Sequence, residues 1–305
     1  MMKVVIKSIL LAGGIAVVTL FFATRVVAPN LPRVVGRPAV EQARSFSWPA
    51  CERFVLENHD GAVRVWSHSA REIAMKAQVR VYVTERADTP VAMTYAESLF
   101  SVTSDDREVK VVTEPGERPD RLEVRVDYEV FVPQGTDVDV VSANGNVYVA
   151  SGCGRVEVQG RNADILVNKP GGLVTAKTTN GRINVADAPE GARLETVNGN
   201  IYAHVSGGTV NAGTTNGSIV AHVLNGAVAG AELKSMNGGI TVVLDEQFSG
   251  IVDARTTHGG IRSDFALDIS SGVQRRHHLR GDLGSGHAPL TLQTLNGNIW
   301  LARGR

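Results

Sequence analysis

The stretch LETVNGNIYA, residues 194–203, decides the fold. Apolar and polar residues alternate up to Thr196, Asn198-Gly199 breaks the alternation, and it resumes at Ile201. A period of two marks a strand with one face turned inward. The phrase therefore reads as strand, corner, strand. It returns as AGTTNGSIVA at 212–221 and as LQTLNGNIWL at 292–301. So short a unit cannot bury its apolar face alone and must stack on copies of itself.

The corners fall at Asn144-Gly145, Asn180-Gly181, Asn198-Gly199, Asn216-Gly217, Asn237-Gly238 and Asn296-Gly297. His258-Gly259 takes the same place in a seventh copy, and Arg161-Asn162-Ala163-Asp164 is a degenerate eighth. Successive steps from Asn144 are 18, 18, 18, 18, 21, 21 and 38 residues, so the last must contain an insertion or a cryptic coil. Six residues before the corner the column is Val, Ala or Leu, and four before it Val, Ala or Leu again. Two before it stand Ser142, Gly160, Thr178, Thr196, Thr214, Ser235, Thr256 and Thr294. Three after it stand Val147 and then Ile at 165, 183, 201, 219, 240, 261 and 299. The Gly is expected to supply a backbone position of positive φ, and the inward Thr a hydroxyl bond near the corner. One Asn-Gly would suggest a hairpin, and repeated hairpins in an antiparallel sandwich are the competing architecture. The common register favours an all-β, single-stranded parallel β-helix, a solenoid of 18–21-residue coils over 136–305. An irregular excursion is expected at about 265–288 and a frayed tail after Leu301. A coil lacking Gly at Ala163 is expected to be distorted.

Upstream, residues 8–24 are uncharged and largely apolar, flanked by Lys3, Lys7 and Arg25. Seventeen residues sit at the short end of a transmembrane helix and the long end of a signal-peptide core. Pro29 after Val26-Val27-Ala28 disfavours cleavage, so residues 1–28 read as a cytoplasmic stub and membrane anchor, with a signal peptide as the alternative. Residues 29–42, with Pro32, Gly36 and Pro38, read as a linker. Residues 43–135 carry longer alternating runs, such as IAMKAQVRVYV and RLEVRVDYEVFVP, expected as an antiparallel β region capping the first coil. Within it, His59-Asp60-Gly61 reads as an early, isolated corner.

Lys plus Arg and Asp plus Glu both number 31, so no general attraction to nucleic acid is expected. Cys51 and Cys153 form no short metal or redox motif, and both lie on the exported side, where a disulfide is permitted. No nucleophile elbow, phosphate loop, dinucleotide motif or zinc-protease helix is present, and no cofactor is expected. Three weaker constellations remain. His204 and His222 share a column in consecutive coils, without a carboxylate in that column, and read as surface histidines. Tyr148, Tyr202 and Trp300 lie in an outward column with Leu166, Asn184, Val220, Thr241 and Arg262. These aromatics form a candidate exposed binding face, with burial against neighbouring segments as the competing reading. Asp253, Asp264 and Asp268, near Arg276, His277 and His278, are the one place for carboxylate chemistry on a polysaccharide, although no spacing demands it.

The Thr-x-Asn-Gly-x-Ile repeat, the segment YEVFVPQG at 128–135, and the Gly-rich stretch before Ala288-Pro289-Leu290 together resemble a bacterial "putative adhesin" family of β-strand-repeat domains. The resemblance covers about residues 45–305. It implies an exported or membrane-tethered domain without enzyme chemistry, and supplies no catalytic residues. The expected function is non-enzymatic adhesion, binding or scaffolding at the cell envelope, as a single-pass membrane protein with the C-terminal domain outside. The expected partners are an envelope protein or glycan, and the membrane through residues 8–24. A self-assembling structural element is the alternative, followed by a polysaccharide-active enzyme.

Overall fold

The alternation around each corner becomes two strands per coil in the computed structural model, which describes residues 21–25, 37–113, 119–223 and 228–304. The chain forms two units, Met1–Tyr148 and Val149–Arg305.

In the first unit one sheet runs Phe21–Arg25, Val40–Pro49, Glu72–Val83, Leu122–Pro133, Val63–His68. The other runs Asp137–Asn144, Arg53–Asp60, Glu108–Thr113, Phe100–Ser104. The region expected to be antiparallel is thus mixed. Arg53–Asp60 is parallel to both of its neighbours, and Val63–His68 is parallel to Leu122–Pro133. The reason is that residues 53–68 are themselves a coil. Asp60 sits opposite Asn144 in register, and the Asn144 amide donates to its carboxylate at 2.7 Å. The antiparallel pairs are made by strands of the insertion that follows that coil, with one another and with Val40–Pro49, which precedes it. The insertion also holds an α-helix, Thr89–Glu97, that the strand-like patterning did not announce. Pro90 in its first turn is compatible with a helix start. Its buried side chains are only Ala92 and Ala96, too sparse a stripe to read. Buried Arg44 donates to the Ala96 and Glu97 carbonyls at the helix end and lies 5.0 Å from the Phe100 ring centre. A cation there satisfies carbonyls that lack helical partners.

The apolar N-terminal stretch departs from expectation where it is described. Phe21–Arg25 is a strand, paired antiparallel with Glu41–Ser45, instead of the end of a helix. Residues 1–20 and 26–28 of the expected anchor segment lie outside the described residues, as do 29–36 of the expected linker, whose last residues, 40–42, belong to the Val40–Pro49 strand. Among the described residues no helix is long and apolar enough to cross a membrane.

In the second unit one sheet begins Val156–Asn162, Val174–Asn180, Gly191–Asn198, Gly208–Asn216, Val228–Asn237. The other begins Ile165–Asn168, Ile183–Ala188, Ile201–Val205, Ile219–Val223, Ile240–Leu244. Each strand is parallel to the equivalent strand one coil away, in the register of the sequence repeat. The inward columns fill the space between the sheets. Val174, Leu194, Val210, Leu233 and the isoleucines 183, 201, 219 and 240 are fully buried. Each such side chain contributes about 1.5–3 kcal/mol by leaving water.

The end of the stack breaks sequence order. The strand Ala288–Asn296 lies between Val228–Asn237 and Gly250–His258, parallel to both. Ile299–Arg303 likewise lies between Ile240–Leu244 and Ile261–Ser263. The excursion is a hairpin, Asp268–Arg275 with His278–Leu283, whose second strand covers the outer edge of Gly250–His258 antiparallel. With that edge occupied, the last coil can add only at the inner edge. Residues 302 and 303 of the tail belong to the last strand and are not frayed: Ala302 is buried, and the Arg303 guanidinium lies 5.2 Å from the Phe265 ring centre.

Three ladders hold the corners. The amides of Asn180, Asn198, Asn216, Asn237 and Asn296 each donate to the preceding Asn side chain at 2.8 Å, starting from Asn162. The hydroxyls of Thr178, Thr196, Thr214, Ser235, Thr294 and Thr256 each donate to the corner carbonyl of the previous coil in space, at 2.8–3.1 Å. The N–H groups of Ala163, Gly181, Gly199, Gly217 and Gly238 donate to the carbonyl of the Asn one coil further along the stack, and that of Gly297 to the His258 carbonyl.

The need for Gly differs from the expected one. Gly145, Gly181 and Gly238 have φ of +133°, +150° and +157°, whereas Gly199 and Gly217 lie outside the left-handed region. What is common within the stack is close approach. A Cβ on Gly199 would strike the Gly181 carbonyl, and one on Gly217 the Gly199 carbonyl, far inside the 3.0 Å that real Cβ atoms keep. The degenerate corner is not distorted either. Asn162 continues the ladder, and Ala163 is buried with no positive φ. Its methyl group occupies the space that a hydroxyl-bearing residue takes in other coils, and Gly160 leaves that space free. A Cβ on Gly160 would lie 2.8 Å from that of Ala163.

Candidate functional site

Strand alternation points every second residue outward, and stacking lines those residues up across the coils. On the sheet that carries the Thr column, two outward columns border a long open trough of about 1120 Å³. Three residues before the corner stand Gln159, Lys177, Glu195, Gly213, Lys234, Gln293 and Arg255, in their order across the sheet. One residue before the corner stand Thr179, Val197, Thr215, Met236, Leu295 and Thr257. Val197, Met236 and Leu295 are 43%, 49% and 42% exposed, the apolar content of an otherwise polar trough. His277 and His278, at the hairpin turn, line it at one end.

The charged wall is internally neutralised. Lys177 pairs with Glu195 at 3.0 Å, Lys234 with Glu232, and Arg255 reaches Asp253 through two hydrogen bonds of 2.9 Å. His278 Nε2 lies 3.2 Å from the same Asp253 carboxylate and ties the hairpin to the sheet. The Arg255 hydrogen bonds, with the charges of Arg255 and His278, hold the Asp253 carboxyl below the usual carboxylate range.

The carboxylates weighed for catalysis do not converge. Asp253 is engaged as described. Asp264 follows a strand of the other sheet, where the Trp300 indole N–H donates to it and Arg262 lies 3.3 Å away. Those contacts, the Trp300 hydrogen bond first, lower its pKa. Asp268 belongs to the hairpin, opposite Asp282.

The aromatic column is exposed, not covered, but it is not a platform. Tyr202 and Trp300 are 44% and 39% exposed. Val220 and Thr241 stand between them in register. Three strand spacings separate the rings by roughly 14 Å, too far to grip one sugar. Trp300 is held by Arg262, 5.0 Å from its ring centre. Tyr148 belongs to the first unit, where its ring is tilted against Trp66 at 5.0 Å.

His204 and His222 do meet, with ring centres 5.9 Å apart. The sequence column hid a third member. Asp187, at φ +55° next to an irregularity in strand register, reaches back to His204 Nδ1 and also lies 3.6 Å from Lys169 Nζ. Among the described residues no group of three or more such ligands is placed to hold a metal ion. Burial, and then the His204 imidazole, push His222 below its ordinary value of 6.5. The unfolded chain therefore takes up this proton at a higher pH than the folded one. Stability is expected to fall as pH drops from 6.5 through the lower folded value, and to be insensitive to this group above 6.5. Urea midpoints of wild type and His222→Asn, measured from about pH 8 to about pH 5, should diverge on the acid side. Parallel curves would rule out this titration.

Cys51 and Cys153 are both free thiols. Burial pushes the Cys153 thiol up to about 11.

The sequence profile of the family described as Toastrack DUF4097 matches residues 54–302. Solved structures with a similar course of chain are a putative adhesin from Bacteroides fragilis NCTC 9343 and one from Parabacteroides distasonis ATCC 8503. The first has 9% identity and a TM-score of 0.44, over 85% of this chain and 96% of that one. The second has 8% identity and a TM-score of 0.41, over 85% and 97%. A putative cell adhesion protein from Clostridium sporogenes ATCC 15579 has 9% identity and a TM-score of 0.21, over 86% and 100%. No curated protein matches the chain in sequence.

Proposed function

The chain belongs to the Toastrack DUF4097 family, and from that premise we propose that it is a non-enzymatic, exported β-repeat domain that binds a component of the cell envelope along the trough. The observation that carries this reading is the trough itself: a long, open surface on a parallel sheet, with three half-exposed apolar side chains between polar walls. Exposed apolar side chains grouped on one face favour a partner. The carboxylates argue for binding over catalysis, since Asp253 and Asp264 are each committed to Arg partners.

Tethering by the apolar stretch 8–24 belongs to the same proposal and has a structural consequence. With Phe21–Arg25 in the sheet, residues 8–20 are left, about 20 Å as a helix. A bilayer core is about 30 Å thick. Anchoring by the full stretch therefore requires this strand to leave the edge of Val40–Pro49.

The test is capture of envelope proteins and glycans by the full chain, compared with a Met236→Asp/Leu295→Asp variant. Both positions are exposed but adjacent across neighbouring strands, where two carboxylates repel, so the melting temperature of the variant is measured alongside to separate loss of binding from loss of fold. Loss of at least about 10-fold in captured material, equivalent to 1.4 kcal/mol, is expected. Undiminished capture by the variant would place the site elsewhere. Self-assembly is the weaker reading because the hairpin occupies one end of the stack; filaments in concentrated solution would revive it.

A further inference from the structure

Gly213 stands in the charged wall of the trough, in the middle of the strand Gly208–Asn216, where every neighbouring coil has a long side chain. Gly in a strand interior weakens the strand and often marks close approach of a ligand or another backbone. The fold itself does not ask for Gly here. Its φ is not in the left-handed region, and a Cβ at this position would meet nothing within 4 Å. It differs in this from the corner glycines Gly199 and Gly217, where a Cβ strikes the preceding coil.

The missing side chain opens a notch. Glu195 and Lys234 are the register partners of Gly213 on either side, roughly 10 Å apart by strand spacing. They do not close the gap: Glu195 pairs with Lys177, and Lys234 with Glu232. Across the trough from the notch stand Thr215 and Met236.

The structure assigns Gly213 as the specificity-determining notch of the trough, and an extended polypeptide as its occupant. This rests on the binding role proposed above. Three features select a peptide. The lining contains no Phe, Tyr or Trp among the described residues, so it offers no platform for a sugar ring. Val197, Met236 and Leu295 suit aliphatic side chains, and Met adapts to varied shapes. The notch presents an acid and a base on opposite sides, matching a backbone amide or a polar side chain that carries both donor and acceptor. The seven coil strands of the trough span roughly 29 Å, the length of roughly nine extended residues.

The experiment uses the full chain in detergent and a displayed library of random linear 12-residue peptides, with an oligosaccharide panel alongside. Peptides enriched on wild type should bind at least 10-fold more weakly to Gly213→Thr and to an intermediate extent to Gly213→Ala. The melting temperature of Gly213→Thr should equal or exceed that of wild type, because Thr suits an exposed strand site. Equal binding of peptides to wild type and Gly213→Thr would overturn the assignment, as would a melting temperature of the variant below wild type. Gly213-dependent binding of oligosaccharides with no peptide enrichment would overturn the choice of occupant. Retained capture of envelope material by Gly213→Thr, with loss in Met236→Asp/Leu295→Asp, would sink the notch and leave the binding role of the trough intact.

Discussion

Gly217→Val and Gly199→Val are each expected to destabilise the chain by about 3 kcal/mol or more, at the upper end of overpacking costs. The cause is contact between coils. Each corner Gly N–H donates to the next coil while its α-carbon faces the carbonyl of the preceding corner. A side chain there cannot be accommodated by rotamer change, because the atom it strikes is backbone. Relief requires the coils to separate, which lengthens the Asn and Thr bonds on both sides. Glu195→Val is the control. It is an exposed strand position where a β-branched residue is favourable, and only its exposed ion pair with Lys177 is lost, worth at most about 1 kcal/mol. Chemical denaturation of the three variants decides the matter. Corner variants with midpoints at or above that of Glu195→Val would show that successive corners do not approach as closely as described.

Gly160→Thr should cost about 2 kcal/mol, although it restores the residue type found in the other coils. The new Cβ would lie 2.8 Å from that of Ala163 and 3.2 Å from Thr178 Oγ1. Adding Ala163→Gly recreates the common Thr-x-Asn-Gly corner and removes the clash. The double variant should therefore recover most of the loss, a coupling of about 1–2 kcal/mol between two residues in contact. Denaturation of both single variants and the double measures that coupling. Additive effects would mean that Gly160 and Ala163 do not compensate one another in size.

Much of the fold was legible because the relevant physics is local. Alternation around Asn198-Gly199 sets which residues face inward, and the 18-residue step aligns Ile183, Ile201 and Ile219 before any contact is known. The early corner at Asp60-Gly61 was legible for the same reason. The demand for Gly was legible, but its cause was not: positive φ is a property of one residue, whereas the clash at Gly199 exists only once Gly181 lies against it. Ala163 looked like a defect because its compensation, Gly160, is visible only when the two α-carbons are brought together.

The site was less legible. Tyr202 and Trp300 stood out as large exposed aromatics, yet three strands separate them. Met236 and Leu295 went unremarked because they lie 59 residues apart in the chain and become neighbours only when Ala288–Asn296 adds to Val228–Asn237. Asp187 escaped because an irregular strand end, not a column, carries it to His204.

By itself, then, the sequence determined that this chain is a stack of two-strand coils, which columns are buried, and where the corners turn. Those are consequences of residue type at fixed spacing. Only the tertiary structure decided the order of the last coils. Every coil presents the same inward pattern and the same open edges, so local sequence does not choose which coil lies beside Val228–Asn237. The hairpin 268–283 chooses, by taking the outer edge of Gly250–His258 and leaving the inner edge for Ala288–Asn296. That choice also completes the trough, because it sets Leu295 beside Met236 and Gln293 beside Lys234.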